Sequence, residues 1–371
     1  MKKILVYGLS NKWGGVEAIV MTMIQHLAES ISFDIIQSDA SSSYAEKYQA
    51  ENIRFVHIPA WGSDRKGFAN GLKSRYLGTD YDYVWVNGCL MSNRTIISTT
   101  KKYSKAKIIT HSHGSSFEES NKLKRFILLL LHKWNRSYYK ANVDFPCMCS
   151  LKSGLWYYGK EYMRTHHIHH IKNGVDVAKY KFNEDVREKY RSELGLTDEF
   201  ALFHAGRLTE VKNQKKILSI FADLLLIGVN ARLFIAGEGE LREELEDQAK
   251  TLKIDDKVSF LGKRNDVNCL YQAMDVMLQP SFHEGFPVTL TEAQASGLPC
   301  LVSDRVSDET NIIGRVKYLS IDRDDNQEWV DALLELSKNK GIDRNKYFNQ
   351  FLISGYDINM VCKEFVDFLI R

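Results

Sequence analysis

The stretch VMLQPSFHEGFPVTLTE occupies residues 276–292 and contains a strand, a loop and the beginning of a helix in immediate succession. The apolar run Val276–Gln279 predicts a buried strand, and the glycine-containing segment that follows predicts a loop. A helix is expected over Val288–Ser296, with Pro287 near its first turn, where proline is tolerated. A strand that leads through a short loop into a helix is the repeating unit of a parallel α/β sheet.

The same alternation of short β-branched runs and amphipathic stretches continues in both directions from this segment. Strands are expected at Ile4–Tyr7, Phe33–Gln37, Arg54–Ile58, Tyr83–Asn87, Lys107–Thr110, Phe145–Cys149, Ile168–Ile171, Ala201–Ala205, Arg232–Ala236, Val258–Leu261, Val276–Gln279, Pro299–Ser303 and Lys317–Ser320. Helical patterns include Glu17–Ser30, Gln214–Leu226, Glu240–Leu252 and Ile358–Ile370. This alternation predicts parallel sheets with helices on both faces.

The alternation restarts after Asn173-Gly174-Val175-Asp176, a turn-rich tetrapeptide that we interpret as a domain boundary. We therefore predict two doubly wound α/β domains, residues 1–172 and 173–356, and a carboxyl-terminal helix at 357–371 that joins the first. In sheets of this type ligands bind beyond the carboxyl ends of the strands. Two such domains are expected to face each other across a cleft.

The chain has 371 residues, of which 44% are hydrophobic and 26% charged, an ordinary composition for a water-soluble globular protein. The longest apolar run, Phe126–Leu131, is far shorter than the roughly 20 residues that span a bilayer, so no membrane-spanning helix is expected. The amino terminus leads directly into a strand and does not resemble a secretion signal. The 6 cysteines are too scattered for a disulfide framework, which favours a cytoplasmic location.

Positive charge is concentrated in the first half of the chain. Residues 1–173 carry 24 Lys and Arg against 13 Asp and Glu, whereas the remainder carries 26 against 34. This asymmetry favours a local anionic partner and argues against general nucleic-acid binding. The segment Lys122–Lys140 places six cations around Phe126–Leu131 and Trp134. It is either a helix that rests on an anionic membrane surface or a core helix with a basic solvent face, and both interpretations stay open.

Two glutamates frame the loop and the helix that follow the strand at Val276–Gln279. Glu284 precedes the helix and Glu292 lies within it, on the order of 10 Å further along. The unpaired N–H groups and the positive dipole at a helix start favour phosphate. The two carboxylates are too far apart to share a proton, but suit the opposite ends of an extended phosphorylated ligand. The alternative is a solvated helix with two ordinary glutamates.

A second group of polar residues follows the strand at Ala201–Ala205. Gly206 and Arg207 come directly after it, and Lys212 lies in the same loop. An arginine fork and a lysine point charge are what a pyrophosphate needs, although surface charge is the alternative. Gly237 ends the next strand and permits a close backbone approach.

Two candidate positions follow strands of the first domain. Gly15 belongs to a glycine pair that opens the first helix, but the spacing is not that of a dinucleotide-binding turn. Its amide either faces a ligand or merely begins the helix. His113 follows Lys107–Thr110 and is placed to bind hydroxyl, phosphate or metal, with a structural role as the alternative. No metal site is expected, because the histidines of 166–170 lack carboxylate partners and Asp80-Tyr81-Asp82 precedes its strand.

These motifs together resemble the retaining glycosyltransferases of family 4, which have the GT-B fold, and among them the bacterial capsular and exopolysaccharide group. The resemblance is carried by Gly14–Glu17, His111–His113, Cys149-Ser150, Lys172–Asp176, Gly206-Arg207, Lys212–Gln214, Phe260–Gly262 and Pro280–Ser303. The spacing of Glu284 and Glu292 is that of the family's E-x7-E motif.

The resemblance implies a role for each of these positions. Arg207 and Lys212, with Gly206 and Gly237 nearby, would hold the donor diphosphate and stabilise the charge of the leaving group. Glu292 would bind the ribose hydroxyls, and Glu284 would contact the donor hexose. The remaining donor contacts would come from the amides of Phe286, Val288 and Thr289. Gly15 would approach the donor phosphate or the acceptor, and His113 would lie beside the reacting sugar.

The activity that follows is transfer of a sugar with retention, without metal or other cofactor, from a nucleotide diphosphate. UDP is favoured as the nucleotide, and a polyprenyl-diphosphate-linked saccharide as the acceptor. The expected location is the cytoplasmic face of the cell membrane. The alternatives are a transferase with a small soluble acceptor and an inactive nucleotide-sugar-binding partner of another transferase.

Overall fold

The computed structural model of the chain describes residues 1–11, 13–38, 44–115, 117, 121–323, 325–339 and 343–370, the last without its side chain. The chain divides into two compact units. The first consists of Met1–Asn173 and the segment that begins at Ile358, and the second of Gly174–Asp357. Each unit has a parallel β-sheet and its own hydrophobic core.

The part of the first unit before Asn173 alternates strands and helices. Its strands are β1 (Lys2–Tyr7), β2 (Ile31–Gln37), β3 (Ile53–His57), β4 (Tyr83–Gly88), β5 (Lys107–Ser112), β6 (Phe145–Met148) and β7 (His169–His170). Its helices are α1 (Gly15–Leu27), α2 (Ala45–Tyr48), α3 (Arg65–Gly78), α4 (Thr95–Tyr103), α5 (Lys122–Asn142), α6 (Leu151–Tyr158) and α7 (Lys160–Thr165). The strands pair in the order β3-β2-β1-β4-β5-β6-β7, so the strand order reverses between β1 and β4.

The second unit repeats this plan with a six-stranded sheet. Its strands are β8 (Phe200–Ala205), β9 (Ala231–Ala236), β10 (Val258–Gly262), β11 (Val276–Gln279), β12 (Cys300–Ser303) and β13 (Val316–Leu319). Its helices are α8 (Val177–Tyr180), α9 (Glu184–Glu193), α10 (Gln214–Leu226), α11 (Arg242–Thr251), α12 (Val267–Ala273), α13 (Val288–Ala295), α14 (Gln327–Lys338) and α15 (Arg344–Leu352). The order β10-β9-β8-β11-β12-β13 reverses between β8 and β11. Ligands bind at such a reversal, outside the carboxyl ends of the strands.

The last helix, α16 (Ile358–Ile370), packs on the first unit rather than the second. Phe365 is fully buried, and its ring lies 4.8 Å from that of Trp85 in β4. The thiol of Cys362 lies 3.8 Å from the backbone carbonyl of Met23 in α1. The amphipathic pattern of α16 thus has its apolar face in the core of the first unit.

Every expected strand overlaps an observed one, and the expected bounds of β11 and α10 are reproduced at both ends. The strands are buried on both faces because helices cover both sides of each sheet. In β2, for example, all seven residues are buried. The predicted α/β class with two doubly wound sheets is confirmed.

Helix α5 does not match the interpretation as a core helix with a basic solvent face, and contact with a membrane stays a prediction. Its buried residues are His132, Asn135 and Tyr139, whereas the apolar run Phe126–Leu131 is exposed or half-buried. The leucine-rich run is therefore not part of the core. None of the described helices is both long and apolar enough to cross a membrane.

Candidate functional site

Two loops of the second unit lie side by side at the reversal of strand order. β8 and β11 are neighbours, with Met277 paired to Phe203, so the loops that follow them leave the sheet at the same edge. The amide of Phe282 donates to the carbonyl of Val211 at 2.8 Å, which ties the two loops together. The segments that carry Arg207, Lys212 and Glu284 are thereby brought together, as expected from the positions of the strands.

Lys212 and Glu284 form an ion pair across these two loops. The Glu284 carboxylate also accepts hydrogen bonds from Gln279 Nε2 at 3.1 Å and Ser281 Oγ at 3.2 Å. These donors fix the carboxylate, which in turn holds the ammonium group of Lys212. An ammonium has three N–H donors, and the ion pair uses one of them, so Lys212 has further donors for an anion.

The backbone of Arg207 is held by a hydrogen bond, whereas its guanidinium group has no partner among the described residues. Gln214 Nε2 donates to the carbonyl oxygen of Arg207 at 2.9 Å. The side chain is exposed, and its guanidinium group makes neither a hydrogen bond nor an ion pair with any residue in the described ranges. An unpaired guanidinium in the same loop as Lys212 is suited to bind a phosphate oxygen pair.

Asn213 sets the direction in which the chain leaves this loop. It has left-handed backbone angles, φ 56° and ψ 44°, at the junction between a 3₁₀ turn at Glu210–Lys212 and α10. Asparagine tolerates this region better than most residues. Its side-chain amide donates to the carbonyl oxygen of Pro280 at 3.1 Å, a second link to the loop after β11.

Gly206 and Gly237 allow a close approach between the loops after β8 and β9. Gly237 has φ 141°, and a Cβ atom there would lie 1.9 Å from the carbonyl oxygen of Gly206. Any side chain at Gly237 would push the loop of Arg207 out of position. The close backbone approach that we expected at Gly237 is thus made to the backbone of Gly206.

The loop after β11 leads into α13 with Pro287 as its N-cap. Val288 and Thr289 are the first two helical residues, and N–H groups at these positions lack intrahelical acceptors. Phe286 is buried, and its ring stacks on that of Tyr356 with 5.4 Å between centroids. The start of α13 is therefore anchored, and its first amides are available for an anion.

Glu292 is held by two tyrosines that the sequence did not reveal. Tyr180 in α8 donates to Glu292 Oε1 at 2.8 Å, and Tyr271 in α12 donates to Oε2 at 3.0 Å. Burial raises the pKa of Glu292, and the two hydroxyl groups oppose this shift because they stabilise the carboxylate. Each oxygen keeps a lone pair that can accept a further hydroxyl group, such as that of a sugar.

Removal of the Tyr180 hydroxyl group should weaken any ligand that binds to the Glu292 carboxylate. We expect Tyr180→Phe to raise the donor KM about threefold to tenfold at neutral pH, the equivalent of one hydrogen bond. Because the pKa of Glu292 is already raised, binding should be lost on acidification at a higher pH than for an ordinary glutamate. The loss should move to still higher pH in Tyr180→Phe, which lacks one of the donors that oppose the shift.

The measurement is the donor KM as a function of pH. Tyr190→Phe is the matched control, because the hydroxyl group of Tyr190 donates to Asp266 in the same unit. If the donor KM depends on pH in the same way in Tyr180→Phe and in Tyr190→Phe, the hydrogen bond from Tyr180 to Glu292 does not contribute to donor binding.

In the first unit, His113 follows β5 and lies against two other polar side chains. Its Nε2 is 2.8 Å from Asn87 Oδ1, and its ring centroid lies 4.0 Å from that of His111. Burial lowers the pKa of His113 to about 3. The imidazole is therefore neutral near pH 7 and suited to hydrogen bonds with hydroxyl groups rather than to ion pairing.

Gly15 is the first residue of α1, with Gly14 as the N-cap. Glu17 in the same helix turn is buried and accepts a hydrogen bond from the amide of Ser10 at 2.7 Å. This contact folds the loop after β1 back onto the helix start. The loop is thus structured by Glu17, and a ligand role for the Gly15 amide stays a prediction.

A cavity of about 250 Å³ lies at the carboxyl ends of β1 and β4, where the strand order of the first sheet reverses. The described residues that line it are uncharged and include Tyr7, Asn87, Asn93, Tyr139 and Tyr157. Aromatic rings and amides without charged groups suit a neutral hydroxylated ligand rather than a phosphate.

The described residues contain no group of three or more His, Cys, Asp or Glu side chains arranged to hold a metal ion. Asp82 accepts hydrogen bonds from Lys2 Nζ and from the amide of Lys3, both at 2.8 Å. It therefore closes the turn at the amino end of β4, far along the strand from the carboxyl edge. Independence from metal stays a prediction.

Two doubly wound parallel α/β units on one chain define the GT-B fold. The chain superposes on HepE of Anabaena, solved in complex with UDP and glucose, with a TM-score of 0.80. The match covers 100% of both chains at 17% identity and establishes the fold. Residues 186–351 match the family described as glycosyl transferases group 1, so the second unit contains a domain of that family.

Two relatives are similar over longer stretches. The chain is 27% identical over 314 residues to EpsF of Bacillus subtilis (strain 168), which bears the name of a glycosyltransferase, with 83% of this chain and 81% of EpsF covered. It is 30% identical over 259 residues to the UDP-Gal:alpha-D-GlcNAc-diphosphoundecaprenol alpha-1,3-galactosyltransferase of Escherichia coli. That match covers 65% of this chain and 64% of the enzyme.

Proposed function

We propose that this protein is a metal-independent retaining glycosyltransferase of family 4 that transfers a sugar from a nucleotide diphosphate to a lipid-linked saccharide. The observation that carries the proposal is the exposed guanidinium of Arg207, which has no partner in the described ranges and lies in the loop that also presents Lys212 to Glu284. A second support is the group 1 domain that spans these residues.

The second unit binds the donor in this proposal. Arg207 and Lys212 neutralise the diphosphate, together with the first amides of α13 at Val288 and Thr289. Glu292 accepts hydrogen bonds from the ribose hydroxyl groups, and Glu284 contacts the hexose. UDP is favoured as the nucleotide, since the Escherichia coli relative is named for a UDP-sugar.

Cleavage of the anomeric C–O bond leaves negative charge on the diphosphate. Cations and helix N–H groups that are already in place stabilise this charge without rearrangement during the reaction. We infer a front-face mechanism, in which the leaving phosphate takes the proton of the acceptor hydroxyl group while the sugar is transferred with retention. An inverted product anomer, or a covalent sugar adduct trapped during turnover, would exclude this mechanism.

The first unit takes the acceptor in this proposal. The uncharged lining of its cavity suits a neutral sugar, and His113 lies beside Asn87 at its edge. The name of the Escherichia coli relative specifies a diphosphoundecaprenol-linked acceptor, which supports a polyprenyl-linked saccharide here. Such an acceptor places the reaction at the cytoplasmic face of the membrane, in the synthesis of an exopolysaccharide or capsule.

A thermal-shift screen with UDP, GDP, ADP and their sugars tests the donor assignment. A ligand that binds only the folded state raises the free energy of unfolding, by about 2.7 kcal/mol at a concentration of a hundred times Kd, and thereby raises Tm. We expect the largest shift with a UDP-sugar and a much smaller one in Glu292→Ala. The absence of a shift with every nucleotide would refute the proposal, and a shift without turnover of any acceptor would favour an inactive binding partner.

A further inference from the structure

Two buried polar side chains lie directly beneath the loop that carries Arg207. His204 belongs to β8 and Gln214 is the first residue of α10, and both are fully buried. A Cβ atom on Gly206 would lie 3.2 Å from His204 Nε2, so the imidazole ring supports the first residue of the loop. Because both side chains are sealed from solvent, neither touches a ligand, and any part they play in binding acts through another residue.

The amide group of Gln214 has one orientation that its surroundings allow. Its Nε2 donates to the carbonyl oxygen of Arg207 at 2.9 Å, and lies 3.1 Å from His204 Nε2. The opposite orientation would place Oε1 against the carbonyl oxygen, and two acceptors have no hydrogen to share. Oε1 is buried without a hydrogen-bond partner among the described residues, so the acceptors of Nε2 alone fix the amide.

The hydrogen bonds of His204 determine which of its nitrogens carries the hydrogen. Nδ1 lies 2.9 Å from the carbonyl oxygen of Leu278 in β11, which only accepts, so Nδ1 is the donor. The other ring nitrogen then presents its lone pair to Gln214 Nε2, which only donates. Burial lowers the pKa of His204 to about 4, so the ring is neutral near pH 7, as this arrangement requires.

A continuous series of hydrogen bonds therefore runs from β11 through His204 and Gln214 to the backbone of Arg207. The carbonyl oxygen of Arg207 also accepts from the amide of Thr209 at 3.0 Å. Of the residues in the series, only Arg207 lies in a loop, so its position is the one that the series decides. Its guanidinium group has no partner in the described ranges, and a side chain of that kind is directed by its backbone alone.

We propose that Gln214 and His204 are positioning residues, which hold the backbone of Arg207 so that its guanidinium group meets the diphosphate of the donor. A binding group that is fixed before the ligand arrives loses less freedom on binding. The inference deepens the proposed function, on which it rests for the identity of the ligand.

Binding of UDP and of uridine to the full chain, measured by calorimetry, tests this inference. Gln214→Met keeps the length of the side chain and removes both of its hydrogen bonds. Gln214→Glu keeps the shape and places a carboxylate against the Arg207 carbonyl oxygen. Both variants should raise the Kd for UDP about fivefold to twentyfold. The Kd for uridine should stay within about twofold, because uridine has no phosphate, whereas a general loss of structure would weaken both ligands alike.

Gln248→Met is the matched control. Gln248 Nε2 also donates to a backbone carbonyl oxygen of the second unit, that of Lys215, at 3.1 Å. This bond joins α11 to α10 and does not involve the loop of Arg207. The Kd for UDP should therefore be the same in Gln248→Met as in the unaltered protein.

Two measurements without any ligand examine the network itself. The amides of Leu208 and Thr209 donate to the carbonyl oxygens of Glu238 and Arg207, both at 3.0 Å, and report on the loop. We expect both amides to exchange hydrogen faster in Gln214→Met than in Gln248→Met. The nitrogen NMR spectrum of the unaltered protein should show a neutral His204 with its hydrogen on Nδ1, in a signal that His204→Phe removes.

The inference is wrong if His204 carries its hydrogen on Nε2, a result that depends on the folding of no Gln214 variant. It is also wrong if the Leu208 and Thr209 amides exchange equally in both methionine variants, or if these variants bind UDP equally well. If the loop exchanges faster in Gln214→Met but the unaltered protein binds no UDP, the proposed function is refuted, while the hold of Gln214 on the loop is supported.

Discussion

Replacement of Lys212 by alanine is expected to lower kcat/KM for the nucleotide-sugar by about a hundredfold to a thousandfold. Loss of one preorganised donor to a developing negative charge costs roughly 2.7–4 kcal/mol in known enzymes. Most of the loss should appear in kcat, because the charge on the diphosphate grows as the anomeric bond breaks. Arg207→Ala should have a similar effect, since its guanidinium pairs with no residue in the described part of the chain and can bind the diphosphate.

Steady-state kinetics with the donor found by thermal shift gives the measurement. Lys215→Ala is the matched control, because it removes a neighbouring lysine that pairs with Glu244 at 2.7 Å on the surface. Its kcat/KM should stay within twofold of the unaltered protein. If Lys212→Ala behaves like Lys215→Ala, the diphosphate is not bound at this loop.

Replacement of Arg344 by leucine is expected to lower the free energy of unfolding of the second unit by about 2–6 kcal/mol. The buried guanidinium donates to the carbonyl oxygens of Tyr271 and Ser296, both at 2.8 Å, and thereby joins the ends of α12 and α13. Without Arg344 both acceptors stay buried and unpaired, at about 1–3 kcal/mol each. This loss is a large share of the free energy of unfolding of a typical domain, which is about 5–15 kcal/mol.

Hydrogen exchange measures this effect unit by unit. We expect faster exchange in peptides from α12 and α13 and unchanged exchange in peptides from β1 and β2. Arg323→Leu is the control, because that exposed arginine pairs with Glu328 at 2.6 Å and such pairs contribute about 1 kcal/mol or less. Equal exchange in both variants would show that the guanidinium contributes no net stability.

The fold follows from the sequence because its determinants are local. β-branched runs alternate with amphipathic stretches along the chain. This alternation alone predicts where the strands lie and that a second domain begins after Asn173. The observed bounds differ from expectation by one or two residues at most strand ends, for example in β1 and β5. Element ends depend on hydrogen bonds between strands, which periodicity does not encode.

The site could be predicted only where its residues follow strands. Arg207, Lys212 and Glu284 come directly after β8 and β11, so the strand–helix pattern places them at one edge. Tyr180 and Tyr271 lie in helices, and their hydroxyl groups reach Glu292 only through the packing of α8 and α12 on α13. No local signal marks a tyrosine for such a contact.

The amino-acid composition of α5 likewise does not reveal which face of the helix packs against the protein. Its hydrophobic and basic residues are the same whether the leucines face the core or solvent. The choice is made by His132 and Asn135, whose polar side chains bind the backbone of Met91. Polar residues in an apolar helix thus identify its packed face here, which reverses the usual expectation.

The return of α16 to the first unit has a consequence for synthesis on the ribosome. The second unit is one uninterrupted stretch, Gly174–Asp357, and all of its strands have been made before α16 emerges. Trp85 of the first sheet packs against Phe365, which is translated 280 residues later. The first sheet therefore lacks this packing contact until the end of the chain has been made. The core of the first unit therefore cannot be completed until α16 has been synthesised, although all seven strands of its sheet lie before Asn173.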